Sequence, residues 1–365
     1  MIRSFTINRY LAKNFLIVLA NLSLGFFCLG FIINLFEEIN FFKDYNVEIE
    51  IPIALTFLFV PSLIYNLFPF IVFLSGIWFF LKFKKTDEII TLRVSGMSNF
   101  SLMIVPGILC LILGIFFITA VNPITSLMVK KYEKIKGSYE IDQEYLAAIT
   151  VNGIWIMEKN KYTNKKSIIR STRLDGEDLS DITVYEFDAN NNFIKRIEAE
   201  SANIRSTDWL LKNVKVTDRD GNKIELESNS LIHKSTYNID KIKTLYSNLD
   251  TISFWNLKNE IKTLEDRGYS TREVRGKLQR SLTFPFFLLS MLLLSGVFTL
   301  GMQFKETRWI YLFISISVSV LIFYFMEFST ALGNTEKLPI EASVWLPILI
   351  IFIFSTVGII HANQK

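Results

Sequence analysis

Apolar positions fall along this chain in six long runs, near 14–36, 52–81, 101–121, 278–303, 309–332 and 343–360. Each has about 18 residues or more, enough for a helix to cross a bilayer core of roughly 30 Å. Between the third and fourth runs, residues 122–277 change character, and Lys, Asp, Glu and Asn become frequent. From 150 to 237 apolar and polar residues alternate with period two, the pattern of strands with one buried face. In 182–187 Thr183, Tyr185 and Phe187 share one face, Asp188 to Asn192 supplies a turn, and Phe193 to Ala199 returns. Val214 and Val216 precede Asp218-Arg219-Asp220-Gly221-Asn222, and Ile224 and Leu226 follow, which is a hairpin pattern. Leu257, Ile261 and Leu264 recur at helical spacing before Gly268 and predict a short amphipathic helix with a glycine stop. The fold class is therefore membrane α-helical, with six transmembrane helices and an inserted all-β domain of sandwich or jelly-roll-like type. Helices 1–3 fall in 1–121, the β domain in 122–277 and helices 4–6 in 278–365. The second run exceeds what a bilayer needs and holds Pro61 and Pro69, which leaves a bend, an entry segment along the interface, or an ordinary kinked helix open.

Composition and charge narrow the class. Half of the 365 residues are apolar, and 33 Phe against 16 Gly and 8 Pro exclude disordered, collagenous and low-complexity chains. The runs themselves exclude a soluble single-domain enzyme. A net charge of +4 is mild for a nucleic-acid binder, so no nucleic-acid partner is expected. Cys28 and Cys110 both lie in apolar runs as packing residues, so the insert carries no disulfide. Arg3, Arg9 and Lys13 precede an apolar stretch too long for the core of a cleavable leader, which reads as the first span. Short-loop cations set the orientation: Lys82, Lys84, Lys85 and Arg93 in one loop, Lys305 and Arg308 in another, but one Lys each, Lys43 and Lys337, in the loops of opposite parity. Both termini are then cytoplasmic and the insert lies outside, in the periplasm of a bacterium with two membranes. Trp309 and Trp345 begin their spans, where an amphipathic ring prefers the interface.

Catalytic signals are missing. The chain has no G-x-x-x-x-G-K-[ST], no G-x-S-x-G and no H-E-x-x-H, and its only histidines are His233 and His361. No catalytic residue, metal site or cofactor of its own is expected. Three charged features remain. Lys84 to Met97 is a short amphipathic segment between the second and third spans, suited to a groove on a partner or to the membrane surface. Lys130, Lys131, Lys134 and Lys136 follow the third span, as a snorkelling collar or as a contact for an anionic lipid head group. Glu327 is an ionisable group within the fifth span, where charge is costly and usually functional.

Asp87-Glu88, the apolar run through Leu92, and then Ser95-Gly96-Met97 resemble the coupling helix of the LptF/LptG (YjgP/YjgQ) family of lipopolysaccharide export permeases. The Pro61–Pro69 spacing, Asn122-Pro123 after the third span, the β insert, Leu257/Ile261/Leu264/Gly268 and Pro285 are similar to family features in the same order. Gly153-Ile154-Trp155 resembles the Gly-Leu-Trp of the LptG branch. The resemblance implies a half-transporter that pairs with an LptF-like permease subunit on an LptB-like ATPase dimer. The ATPase, using ATP and Mg, would drive lipopolysaccharide from the inner membrane to LptC/LptA-like periplasmic β proteins. It assigns ATPase coupling to Asp87, Glu88, Leu92, Ser95, Gly96 and Met97, and lipid or gate contacts to Asn34, Glu37, Lys130, Lys131, Lys134 and Glu327. Glu327 is expected to meet a cation: a basic residue of the partner subunit, Lys130 or Lys131, or a metal bridging lipid phosphates. One departure stands out. Where family members often carry a base near the outer end of the first span, this chain has Asn34, then Glu37 and Glu38. Either the lysines after the third span substitute, or the exported lipid is less phosphorylated. The competing class is a six-span structural or sensory protein displaying a β domain.

Overall fold

Each apolar run becomes a helix because a chain in hydrocarbon must satisfy its own backbone groups. The computed structural model describes residues 5–45, 47–94, 96–140, 146–150, 153–159, 166–175, 178–188, 192–219, 223–224, 229–235, 237, 248–266, 271–301 and 308–363. Ser95, Asp220 to Asn222, Leu226, Gly268 and Lys305 lie outside them. In chain order come α1 (Phe5–Phe41), α2 (Glu50–Lys85), the short α3 (Glu88–Val94) and α4 (Asn99–Phe116). A π-helical turn at Phe117–Val121 carries α4 into α5 (Asn122–Glu140). After the strands come α6 (Phe254–Asp266), α7 (Arg272–Gly296), α8 (Arg308–Asn334) and α9 (Ile340–Asn363). Among the described residues six helices are long and apolar enough to cross a membrane, and they fall on the six predicted runs. Pro61 and Pro69 both sit inside the unbroken α2.

The helix of the third span continues past the predicted end of that span at 121 and runs through Glu140, and among the described residues the first strand begins at Leu146. Pro123 does not stop it, because the chain handles the missing N–H locally. The carbonyl that residue 123 would have served, that of Thr119, accepts the Trp255 indole N–H at 3.1 Å. Next to it the Asn122 side chain accepts the backbone N–H of Phe254 at 2.8 Å. Asn122-Pro123 is thus the seat of the first turn of α6.

The chain divides into two compact units, one of Met1–Tyr132, Asp250–Glu260 and Arg272–Lys365, the other of Glu133–Leu249 and Ile261–Thr271. In the first, α7 is the hub, and small residues set its contacts. A Cβ on Gly114 of α4 would fall 2.5 Å from the Pro285 Cα, and one on Gly76 of α2 would fall 2.1 Å from the Ser295 hydroxyl. Small residues let helices approach where lipid supplies no hydrophobic driving force between them. Ser75 donates to the Ile71 carbonyl and Ser290 to that of Phe286 within their own helices, and Ser329 reaches the Ser343 carbonyl of the neighbouring one.

The second unit holds β1 (Leu146–Thr150), β2 (Gly153–Lys159), β3 (Lys166–Ser171), β4 (Arg173–Asp175), β5 (Asp178–Phe187), β6 (Phe193–Asn203), β7 (Asp208–Lys212), β8 (Lys215–Asp218), β9 (Lys223–Ile224) and β10 (Ser230–Lys234). They form one antiparallel sheet whose main path is β1-β2-β3-β5-β6-β7-β10. Both predicted hairpins form, with Phe187 opposite Phe193 and Val216 opposite Ile224. A row of facing residues, Ile156, Ile169, Val184, Ile197 and Val216, runs across five strands and builds the core. In β5 the core side is Ile182 and Val184, which puts Thr183 and Tyr185 on the other face. Four strands separate β2 from β10 along the path. Even so, Ser235, just past β10, donates to Glu158 of β2 at 2.8 Å, and His233 Nε2 lies 3.4 Å from the same carboxylate. The sheet therefore rolls until its ends meet through buried side chains.

Candidate functional site

The segment between the second and third spans predicted to be amphipathic is a seven-residue helix with one face docked. Ile89 is buried in the apolar cluster of Leu11, Phe15, Phe79 and Phe83, and Leu92 and Met97 pack against it. Asp87 precedes α3 with φ 55°, an exposed position whose carbonyl accepts the Thr91 N–H at 3.2 Å. At the far end Gly96 has φ 85°, and the Met97 N–H bonds back to the Leu92 carbonyl at 3.0 Å. That six-to-one bond over a left-handed glycine is the ending of a Schellman motif. It turns the chain from α3 toward Ser98, whose side chain caps α4 by accepting the Ser101 N–H. A Cβ at residue 96 would meet strain, which is the use of glycine here.

The docked face leaves Val94 84% exposed, a large apolar side chain pointing away from its own protein. Glu88 stands at the start of α3, with the Tyr10 hydroxyl 3.0 Å from one carboxylate oxygen and the Thr86 hydroxyl 2.8 Å from the other. Leu92, Gly96 and Met97 are thus brought together as the foot of the helix, and Glu88 is turned toward α1. Sequence reasoning missed Val94 and Tyr10. Val94 was findable as an apolar residue out of phase with Ile89 and Leu92. Nothing in the sequence pairs Tyr10 with a residue 78 positions away.

At the other end of α1, Asn34 and Glu38 are buried, 3% and 1% exposed. The Asn34 amide lies 3.4 Å from the exposed Glu37 carboxylate. Glu38 accepts the Tyr132 hydroxyl at 2.7 Å, and the Tyr132 ring packs on Phe59 at 5.1 Å. Tyr132, on the helix that continues the third span, meets the acidic end of α1. Lys130, Lys131 and Lys134 are exposed. Glu327 is exposed on α8, with its carboxylate 3.9 Å from the Arg280 guanidinium. The cation near Glu327 is therefore Arg280 of the same chain, which was not among those considered. It belongs to a series on α7, where Lys277 pairs with Asp250 at 3.6 Å and Arg272 with Glu336 at 3.0 Å. The spacing of basic residues at 272, 275, 277 and 280 was a legible signal.

Among the described residues, six helices long and apolar enough to span, an inserted antiparallel β unit and a small docked helix between the second and third spans define a multi-pass membrane protein. The profile described as "Lipopolysaccharide export system permease LptF/LptG" matches residues 9–361, so the chain belongs to the LptF/LptG family of transport permeases. No curated protein matches the chain.

Proposed function

We propose that this chain is the LptG-like half of an ABC exporter that lifts lipopolysaccharide out of the inner membrane. The match from 9 to 361 carries this reading, since it spans all six membrane helices and the β unit. In this reading an LptF-like subunit completes the pair, an LptB-like ATPase dimer consumes ATP and Mg, and LptC/LptA-like β proteins receive the lipid. Both termini are cytoplasmic and the β unit is periplasmic, in keeping with the short-loop cations. The chain carries no P-loop, so energy enters through a contact, and α3 is built for one. Its foot is fixed by Ile89, Leu92 and Met97, while Val94 and the open side of the Glu88 carboxylate remain for a groove on the ATPase. The Gly153-Ile154-Trp155 sequence supports the LptG side of the family. Asn34, Glu37, Lys130, Lys131, Lys134 and Glu327 are proposed to line the lipid path, with Glu327 held by Arg280 until lipid or the partner subunit displaces it.

Affinity purification of the full chain from its native membrane tests the reading. A P-loop ATPase and a second six-span chain should co-purify, and their absence would reject it. Glu88→Lys reverses the charge on α3 and should abolish lipid export in the reconstituted complex. Wild-type export by that variant would remove Glu88 from the motor contact.

A further inference from the structure

Both carboxylate oxygens of Glu88 are engaged inside the chain, one by Tyr10 and one by Thr86. A carboxylate offers about four acceptor sites, so two donors orient it and leave room for a cation from outside. Tyr10 belongs to α1, and the hydrogen bond is one part of a larger attachment. Its ring meets Phe83 of α2 edge-on at 5.8 Å. One turn later Asn14 accepts the Lys82 ammonium at 2.8 Å and donates to the Tyr10 carbonyl at 3.0 Å. Leu11 and Phe15 are fully buried in the cluster that also takes Ile89 of α3. Farther along, Leu24, Leu29 and Ile32 are exposed. The first span is thus fastened at its beginning to α3 and to the last turns of α2 and at its far end to Tyr132, with one face of its middle exposed. A helix held at both ends tilts when one of them is moved.

We propose that Tyr10 is a positioning residue linking α3 to the first span: its hydroxyl, bonded to Glu88, passes displacement of α3 into tilt of α1. The inference rests on the reading of α3 as the motor contact. It goes further by naming the element that receives the motion, and by giving Glu88 a second, intramolecular role.

The test uses the full complex in proteoliposomes. Tyr10→Phe removes one oxygen and keeps the ring against Phe83. The ATPase should co-purify at wild-type yield and hydrolyse ATP at the wild-type rate. Lipid exported per ATP should fall by about three- to tenfold, the shift expected for one exposed hydrogen bond of ordinary net strength. Combining Tyr10→Phe with Glu88→Gln should cost no more than the worse single variant, because one bond is broken only once. A spin label on Cys28, which is exposed on α1, supplies a readout that simple packing would not move. Its spectrum should change on nucleotide addition in the wild type and stay fixed in Tyr10→Phe. A wild-type complex that neither holds an ATPase nor exports lipid rejects the functional reading, and this link with it. A wild-type complex that exports, beside a Tyr10→Phe variant with unchanged lipid per ATP, rejects the link alone. So does a variant that fails to assemble, since Tyr10 would then be a packing residue.

Discussion

The first and fourth spanning helices look alike in sequence and differ sharply in place. Of the most apolar window of α7, 72% is buried in the chain, against 11% for α1, although α1 is the more apolar of the two. The side chains at the contacts explain the inversion. Gly276, Ser281, Ser290, Ser295 and Gly296 are buried along α7 and let its neighbours come close. The corresponding stretch of α1 carries Leu24, Leu29, Ile32, Ile33 and Phe36 outward. Apolarity says that a helix spans a membrane, whereas small residues say which helix the others pack around. The uncovered face of α1 belongs to lipid or to another chain, and a functional part that must move is better placed there than at the hub.

The largest effect is expected where the hub is tightest. Gly114→Val would drive a Cβ to 2.5 Å from the Pro285 Cα, and backbone cannot swing aside as a side-chain tip can. Overpacking of this kind should cost about 3 kcal/mol, read as a lower melting temperature in detergent. An unchanged melting temperature would mean that α4 and α7 do not cross there. Next comes the fastened end of α1. Asn14→Ala removes the acceptor of Lys82, a bond to a charged group in a partly buried site, and should cost about 1–2 kcal/mol. If that variant matched the wild type, the Lys82 contact would not fasten the beginning of α1 and the contrast with α7 would lie elsewhere.

Glu327→Gln sharpens the comparison from the side of α8. Its pair with Arg280 is long and exposed on both sides, so stability should change by less than about 1 kcal/mol. Export by the reconstituted complex should nonetheless fall. Full export would leave Glu327 as a surface anchor. The smallest effect belongs to the uncovered face: Leu24→Ala, at a side chain 64% exposed, should alter the stability of the isolated chain by no more than about 0.5 kcal/mol. A loss of partner co-purification at unchanged stability would show that this face is covered in the complex. A large loss of stability in the isolated chain would refute the contrast itself.

Local chemistry made much of this molecule legible. Six apolar runs, period-two alternation and the turn residues of the 188–192 hairpin depend on neighbours a few positions apart, as does the helical spacing of Leu257 and Ile261. Each prediction held, because the backbone in hydrocarbon and the two-faced strand leave few alternatives. The run of the third helix past 121 was not legible, because the group that takes up the Thr119 carbonyl left by Pro123 is the indole of Trp255, 136 positions from Thr119. The cation beside Glu327, the hydroxyl on Glu88 and the Glu158–His233 contact that closes the β unit were hidden for the same reason. Periodicity fixes which side of an element is apolar. It carries no information on which residue of a distant element will face a given polar atom, and that choice belongs to the packing of whole helices and to the roll of the sheet.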